Sequence, residues 1–140
     1  MRTGGCLCGA VRYEIDGPLR EILVCHCVEC RHWAGHAWAA TAAALTDIRI
    51  DGEVVWRGSP RSEWNAKRGN CMRCSACLFW HAEDGERMAI GAGTLDDPNG
   101  LRVGGHIWIE QGADWELPPE GMPAYPRGYP DDAPALGWRT

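Results

Sequence analysis

Residues 24–35 read VCHCVECRHWAG, which places three cysteines within six residues and a histidine between the first two. Two further clusters occur, CLC at residues 6–8 and CMRCSAC at residues 71–77, and the three clusters together hold all eight cysteines. Zinc needs thiolates that lie close together, so clustered spacing of this kind is typical of its ligands. The pattern therefore predicts a zinc protein and not a disulfide-linked one.

The length of 140 residues predicts a single domain, long enough to form a core without disulfide cross-links. With 14 Lys plus Arg against 19 Asp plus Glu, the net charge of −5 argues against a nucleic-acid partner. The first ten residues lack the apolar core of a signal peptide, and the longest apolar run, residues 37–45, is far short of the ~20 residues that span a bilayer. We therefore expect a soluble, cytoplasmic protein with no membrane partner.

Turn signals separate short β-rich runs along the chain, which predicts a mainly β domain. Residues 11–15 alternate apolar and polar side chains, the period of a half-buried strand. Asp51-Gly52 between IRI and EVVW predicts a β-hairpin over residues 48–56. Further strands are expected in LFWHA after Cys77, MAIGA from Met88 and HIWIE from His106.

Two segments are less regular in pattern. Residues 37–44 are ambiguous, since alanine favours helix whereas the neighbouring runs indicate strands. We place the zinc-binding domain at residues 1–116, and a Pro/Gly-rich tail at residues 117–140 that should lack regular structure. The tail has three aromatic side chains that could pack against the domain: Tyr125, Tyr129 and Trp138.

The spacing of the cysteines suggests how each cluster presents its thiols. A CxxC turn curls around a metal ion, whereas the two cysteines of a CxC point to the same face if the segment is a strand. An iron–sulfur cluster is disfavoured because the extended ferredoxin cysteine run is missing. Buried, unliganded thiols would explain a scattered cysteine, but not eight cysteines in three clusters.

The clusters lie within an ordered set of motifs: GCLCGAVRY at 5–13, CHCVECR at 25–31 followed by Gly35, CMRC at 71–74, GTLDDP at 93–98, and HI at 106–107 with Trp115. This set resembles the glutathione-dependent formaldehyde-activating enzyme family, which also includes centromere protein V. The resemblance covers most of the chain. It implies a β-tent fold, a single small domain in which two antiparallel sheets are tied together by zinc, with a strand at residues 37–42.

The resemblance also implies two zinc sites. A closed structural site would be formed by Cys6, Cys8, Cys71 and Cys74. A second zinc with an open fourth position, the catalytic site, would be held by Cys25, Cys27 and Cys30. The implied activity is a carbon–sulfur lyase reaction that joins a small thiol, glutathione, to a small aldehyde, formaldehyde, as S-(hydroxymethyl)glutathione.

Several residues near the second cluster have both functional and ordinary interpretations. His26, His32 and His36 are candidates for proton transfer by proximity in sequence, although His26 should face away from the metal. Arg31 and Arg68 could attract a carboxylate of glutathione, whereas exposed arginines are usually only solvated. Core and pocket-wall positions are expected for six tryptophans: Trp33, Trp38, Trp56, Trp64, Trp80 and Trp108.

Residues 74–78, CSACL, depart from the family pattern CGSxL. Ser75 stands where glycine would favour a positive φ, and Cys77 adds an eighth thiol. Cys77 is expected to be a buried thiol beside the structural site. If it instead completed the second zinc site, both sites would be closed and the protein would be a noncatalytic zinc-stabilised binding module. A third interpretation is a redox or metal-handling thiol protein, which predicts zinc release on mild oxidation.

Overall fold

A computed structural model describes all 140 residues and contains twelve strands and one α-helix. The mainly β class predicted from the sequence is confirmed. None of the helices has the length and apolar character needed to cross a membrane. In chain order the elements are β1 (Arg2–Gly5), β2 (Arg12–Ile15), β3 (Leu19–Arg20), β4 (Ile22–Cys25), α1 (Val28–Ala34), β5 (Trp38–Ala44), β6 (Ile48–Asp51), β7 (Val54–Gly58), β8 (Lys67–Cys71), β9 (Cys77–His81), β10 (Arg87–Gly91), β11 (Val103–Ile107) and β12 (Trp138–Arg139), with 3-10 turns at Leu45–Asp47, Ala92–Thr94 and Ile109–Gln111.

The strands form two main sheets and one small one. The first sheet has three antiparallel strands in the order β1-β2-β6, and the second has seven in the order β11-β4-β5-β10-β9-β8-β7. All neighbours in the larger sheet are antiparallel except the edge pair β11 and β4, which run parallel. The larger sheet is therefore mixed at one edge, where the resemblance implied antiparallel strands throughout.

The main core lies between these two sheets. In β2 the side chains of Tyr13 and Ile15 are buried while Arg12 and Glu14 are exposed, the alternation expected from the sequence. Tyr13 packs edge to face on Phe79, with ring centroids 5.5 Å apart. Burial of these apolar side chains between the two sheets stabilises their packing.

The ambiguous alanine-rich segment is strand β5. It lies between β4 and β10, and most of its residues are buried, so neighbours on both edges supply the hydrogen bonds that override the helical preference of alanine. The small side chains also leave room for α1 on one face. Cys30 of α1 packs there in a second cluster with Trp38 and Ala40.

Two sequence predictions of strands are wrong in part. Residues 48–56 do not form a hairpin, because β6 pairs with β2 in one sheet and β7 pairs with β8 in the other. Gly52 instead lets the chain cross between sheets, with φ of 98° and with no room for a Cβ against the carbonyl of Ala10. The strand predicted from His106 ends at Ile107, since Trp108 adopts a left-handed conformation.

Most of the C-terminal tail lacks regular structure, but β12 pairs with β3 and Ala124 forms an isolated parallel bridge with His106. The indole of Trp138 lies over the guanidinium of Arg87, 4.7 Å from ring centroid to carbon. Tyr125 and Tyr129 pack edge to face with centroids 5.3 Å apart. The Trp138 contact ties the tail to the rest of the chain, as do two backbone hydrogen bonds: the His106 N–H donates to the Pro123 carbonyl at 2.8 Å, and the Tyr125 N–H donates to the His106 carbonyl at 2.9 Å.

Close packing at Gly4 gives a first testable prediction. A Cβ at this position would overlap the ring of Tyr13 and lie 2.5 Å from the carbonyl oxygen of Thr94. Gly4→Ala should therefore lower the free energy of unfolding by about 1–3 kcal/mol, the range for overpacked cores. The matched control is Gly93→Ala, where no atom lies within 4 Å. Equal melting temperatures for the two variants would contradict this account of β1.

Candidate metal centres

Four cysteines from the two main sheets meet at the first centre. Cys6 and Cys8 follow β1, Cys71 ends β8, and Cys74 follows three residues later. Their Sγ atoms all lie within 4.8 Å of one another, at 3.6 Å for Cys6–Cys8 and 3.8 Å for Cys8–Cys71. Tetrahedral zinc with Zn–S bonds of ~2.3 Å needs sulfurs roughly 3.8 Å apart. This donor set therefore fits a zinc ion.

A turn, and not a strand face, presents the first pair of thiols. Cys6 and Cys8 lie in a turn after β1, closed by a hydrogen bond from the Gly9 N–H to the Cys6 carbonyl. The expectation that a CxC offers both thiols from a strand is wrong here. In an extended strand the Cα atoms of alternate residues are roughly 7 Å apart, which would hold parallel side chains too far apart for their sulfurs to share one metal ion.

A second turn presents Cys71 and Cys74. The N–H groups of Arg73 and Cys74 point at the Cys71 sulfur, at 3.4 and 3.5 Å. Ser75 closes the turn with a hydrogen bond to the Cys71 carbonyl and has φ of 64°, so the positive φ predicted for this serine is confirmed. These contacts fix the position of the Cys71 sulfur within the turn.

The thiols of the first centre compete for negative charge. Burial opposes ionisation of Cys6, but the Val11 N–H and the neighbouring thiols lower its pKa to about 6. At Cys8 a backbone hydrogen bond favours ionisation, but burial and the other thiols raise the pKa to about 11. Four sulfurs this close can ionise together only beside a cation, which supports a metal ion as their partner.

Three cysteines form the second centre where β4 meets α1. Cys25 ends β4, Cys27 is the N-cap of α1, and Cys30 lies in its first turn, with the three Sγ atoms within 4.8 Å of one another. The Cys30 N–H donates to the Cys27 sulfur at 3.3 Å. The first turn of α1 therefore places the thiols of Cys27 and Cys30 close together.

The sequence patterns did not predict this helix. Its clearest signal was Gly35, which has φ of 82° and whose N–H donates to the Arg31 carbonyl at 2.8 Å, the usual glycine stop at a helix C-terminus; Glu29 in the first turn and Arg31 in the last also fit a helix. A cysteine is an uncommon N-cap, so the start at Cys27 carried no recognisable signal.

Charge in the second centre concentrates on one sulfur. Hydrogen bonds from Cys25 and Cys30 lower the pKa of Cys27 to about 2, whereas contacts with Cys27 and Cys30, together with burial, raise the pKa of Cys25. For Cys30, the thiol of Cys25 favours ionisation, but Cys27 and burial raise the pKa to about 11. Three thiolates within 4.8 Å of one another repel, and a divalent metal ion held among them would offset that charge, so the set fits such an ion.

Arg68 of β8 lies directly against the second centre. Both its Nη atoms are 3.7 Å from the Cys30 sulfur, and its Nε donates to the Ser59 hydroxyl at 3.1 Å. Its guanidinium also lies over the ring of Trp33, and the Glu29 carboxylate is 4.0 Å from Nε. The side chain is buried, so the interpretation of Arg68 as a solvated surface arginine is wrong.

Cys77 belongs to neither centre. Its sulfur donates to the Trp33 carbonyl at 3.5 Å and accepts from the Asn70 amide at 3.6 Å, while Asn70 accepts from the Trp33 indole. Burial raises the pKa of Cys77 and so favours the neutral thiol that makes these contacts. The eight cysteines therefore divide into four, three and one.

A groove of about 690 Å³ opens between α1 and the β7–β8 hairpin, on the outer side of Arg68. Of the three candidate histidines, His32 borders this groove, while the ring of His36 bonds the carbonyl of Ala37. His26 is buried, with Nε2 2.8 Å from Nδ1 of His106, and burial lowers the pKa of both rings. His26 therefore packs in the interior.

The remaining candidates have structural roles. Arg31 donates to the Gln111 carbonyl at 3.0 Å and so ties α1 to the segment after β11. Trp33 packs edge to face on Trp38, as predicted for core tryptophans. The prediction is wrong for Trp64, which is 58% exposed.

The structure is a mainly β domain with a four-cysteine and a three-cysteine group, each of which could hold a metal ion. Residues 1–111 match the family described as glutathione-dependent formaldehyde-activating enzyme, and the chain belongs to this family. A crystal structure of a Rhodobacter sphaeroides protein, a structural-genomics target, has a similar fold, with a TM-score of 0.57 and 19% identity over 88% of this chain and 98% of that one. The search of curated proteins found no match.

Proposed function

We propose that the protein joins glutathione to formaldehyde as S-(hydroxymethyl)glutathione, with Cys25, Cys27 and Cys30 as ligands of a catalytic zinc ion. The observation that carries this proposal is that the thiols of Cys25, Cys27 and Cys30 converge, while Cys77, the cysteine outside both groups, is hydrogen-bonded to the Trp33 carbonyl. Three protein ligands are what catalytic zinc sites typically provide, leaving one position for water or substrate. Family membership supports the same reaction.

The other four cysteines, Cys6, Cys8, Cys71 and Cys74, would hold a closed structural zinc ion. They connect the turn after β1 with the end of β8, so each main sheet contributes to the site. A metal ion bound there stabilises the folded state directly, because unfolding would separate its ligands.

The reaction forms one C–S bond: the thiol sulfur adds to the carbonyl carbon, and the thiol proton ends on the carbonyl oxygen. Zinc bound to three thiolates would supply the positive charge that favours the thiolate form of an incoming thiol. Arg68 offsets part of the negative charge that several thiolates bring to this centre, since both its Nη atoms face Cys30. The Cys30 N–H fixes the Cys27 sulfur in place.

Exchange NMR on mixtures of glutathione and formaldehyde tests the proposal. The native protein should accelerate adduct formation over the uncatalysed reaction, lose this effect after metal removal and regain it with added zinc. Binding of two zinc ions without any acceleration would instead favour a noncatalytic zinc-stabilised module.

A further inference from the structure

The groove beside Arg68 has the size of a small-molecule site. Its volume of about 690 Å³ is within the ~300–1,000 Å³ usual for ligand pockets. One wall is α1, through Glu29, His32 and Trp33, and the other is the outer face of β7 and β8. The proposed metal ions do not by themselves account for this groove.

Its positive charge is unusual for a chain with a net charge of −5. Three arginines line the groove, Arg57, Arg61 and Arg68, against one acid, Glu29. Glu29 already has partners: its carboxylate accepts hydrogen bonds from the Ser59 hydroxyl and from the backbone N–H of Arg61. The side chains of Arg57 and Arg61 form neither an ion pair nor a hydrogen bond, and both residues are exposed.

The strand register adds a second, independent observation. Arg57 of β7 pairs directly with Arg68 of β8, so two guanidinium groups project from the same face of the hairpin at adjacent positions. Like charges opposite one another destabilise a strand pair. An arrangement that opposes stability and faces a groove is typical of a site for a charge-complementary ligand.

Arg68 connects this groove to the second metal centre. It lines the groove and also places both Nη atoms 3.7 Å from the Cys30 sulfur. A ligand anion held by the arginines would therefore lie one side chain away from the catalytic cysteines.

We propose that the groove binds the carboxylate end of the thiol substrate, with Arg57 and Arg61 as specificity-determining residues. Guanidinium groups pair with carboxylates through strong, often bidentate hydrogen bonds, and glutathione has two carboxylates. The inference rests on the proposed function for the choice of a thiol. It names an acidic small molecule and not a nucleic acid, because three cations in a short groove on an acidic protein suit one or two anionic groups.

The test uses S-methylglutathione, whose blocked sulfur separates binding in the groove from reaction at zinc. Calorimetric titration of the zinc-loaded protein should detect binding, and Arg57→Gln with Arg61→Gln should weaken it roughly tenfold or more, as expected for lost charge-assisted hydrogen bonds. The control Arg49→Gln removes an exposed arginine of β6 that does not line the groove, and should leave affinity unchanged. Arg57→Lys should recover part of the affinity.

Stability gives a second readout. Because Arg57 faces a like charge, Arg57→Gln should melt at or above the temperature of the native protein while binding more weakly. A lower melting temperature would mean that Arg57 is structural. Undiminished affinity in the double variant, an equal loss in Arg49→Gln, no binding to the native protein, or tighter binding of a single-stranded oligonucleotide would each overturn the proposal. Arginine-dependent binding without turnover would leave the groove assignment standing and remove the proposed reaction.

Discussion

Cys71→Ser is expected to prevent stable folding. Cys71 is buried at the end of β8, where its sulfur meets that of Cys8 from a segment 63 residues away. Structural zinc in small peptides contributes about 10–16 kcal/mol, as much as the whole stability of a typical domain. Serine preserves the shape but is a poor zinc ligand, so circular dichroism at 25 °C should show loss of the native spectrum.

Cys77→Ser is the matched control, because Cys77 is near the same turn and lies outside both centres. Its loss of stability should stay within about 2 kcal/mol, the range of ordinary single substitutions. A Cys71→Ser variant that melts like Cys77→Ser would show that the first centre does not support the fold.

Cys30→Ala should reduce the rate of S-(hydroxymethyl)glutathione formation to that of the uncatalysed reaction. Changes in groups that only orient metal ligands cost 10–100-fold, so loss of a ligand should exceed about a hundredfold. The variant should still fold, because the first centre is intact, and metal analysis should find one zinc ion per chain instead of two.

The control for this loss is Cys77→Ala, which removes a thiol that contacts Trp33 and Asn70 but belongs to no centre. It should retain two zinc ions and most of the activity. If Cys77→Ala abolished turnover as Cys30→Ala does, the assignment of the open site to three cysteines would be wrong.

The sequence predicted the grouping of the cysteines better than their local geometry. The family resemblance implied that Cys6, Cys8, Cys71 and Cys74 form one group apart from the second cluster, and the structure brings each group together. The turn after β1 and the helix after Cys27 were missed, because metal-ligand spacing is compatible with several backbone conformations. The secondary-structure propensity of alanine did not predict β5, because hydrogen bonding to strands on both edges decides the conformation of this segment.

Long-range arrangement explains the remaining failures. Asp51-Gly52 has the composition of a hairpin turn, but the flanking strands pair with β2 and β8, which local sequence does not encode. The groove depends on the same register, since Arg57 and Arg68 become neighbours only when β7 pairs with β8. No local pattern in one sequence predicts which residues of two strands will lie side by side.

Cobalt substitution gives the most direct test of the open three-cysteine site. With Co²⁺ in both centres, glutathione should change the visible absorption of one ion, the one held by Cys25, Cys27 and Cys30, by adding a sulfur ligand, and should leave the other unchanged. The change should persist in Cys77→Ala and disappear in Cys30→Ala. If glutathione left the spectra of both cobalt ions unchanged, the exchangeable fourth position would be contradicted, and with it the proposed catalytic role.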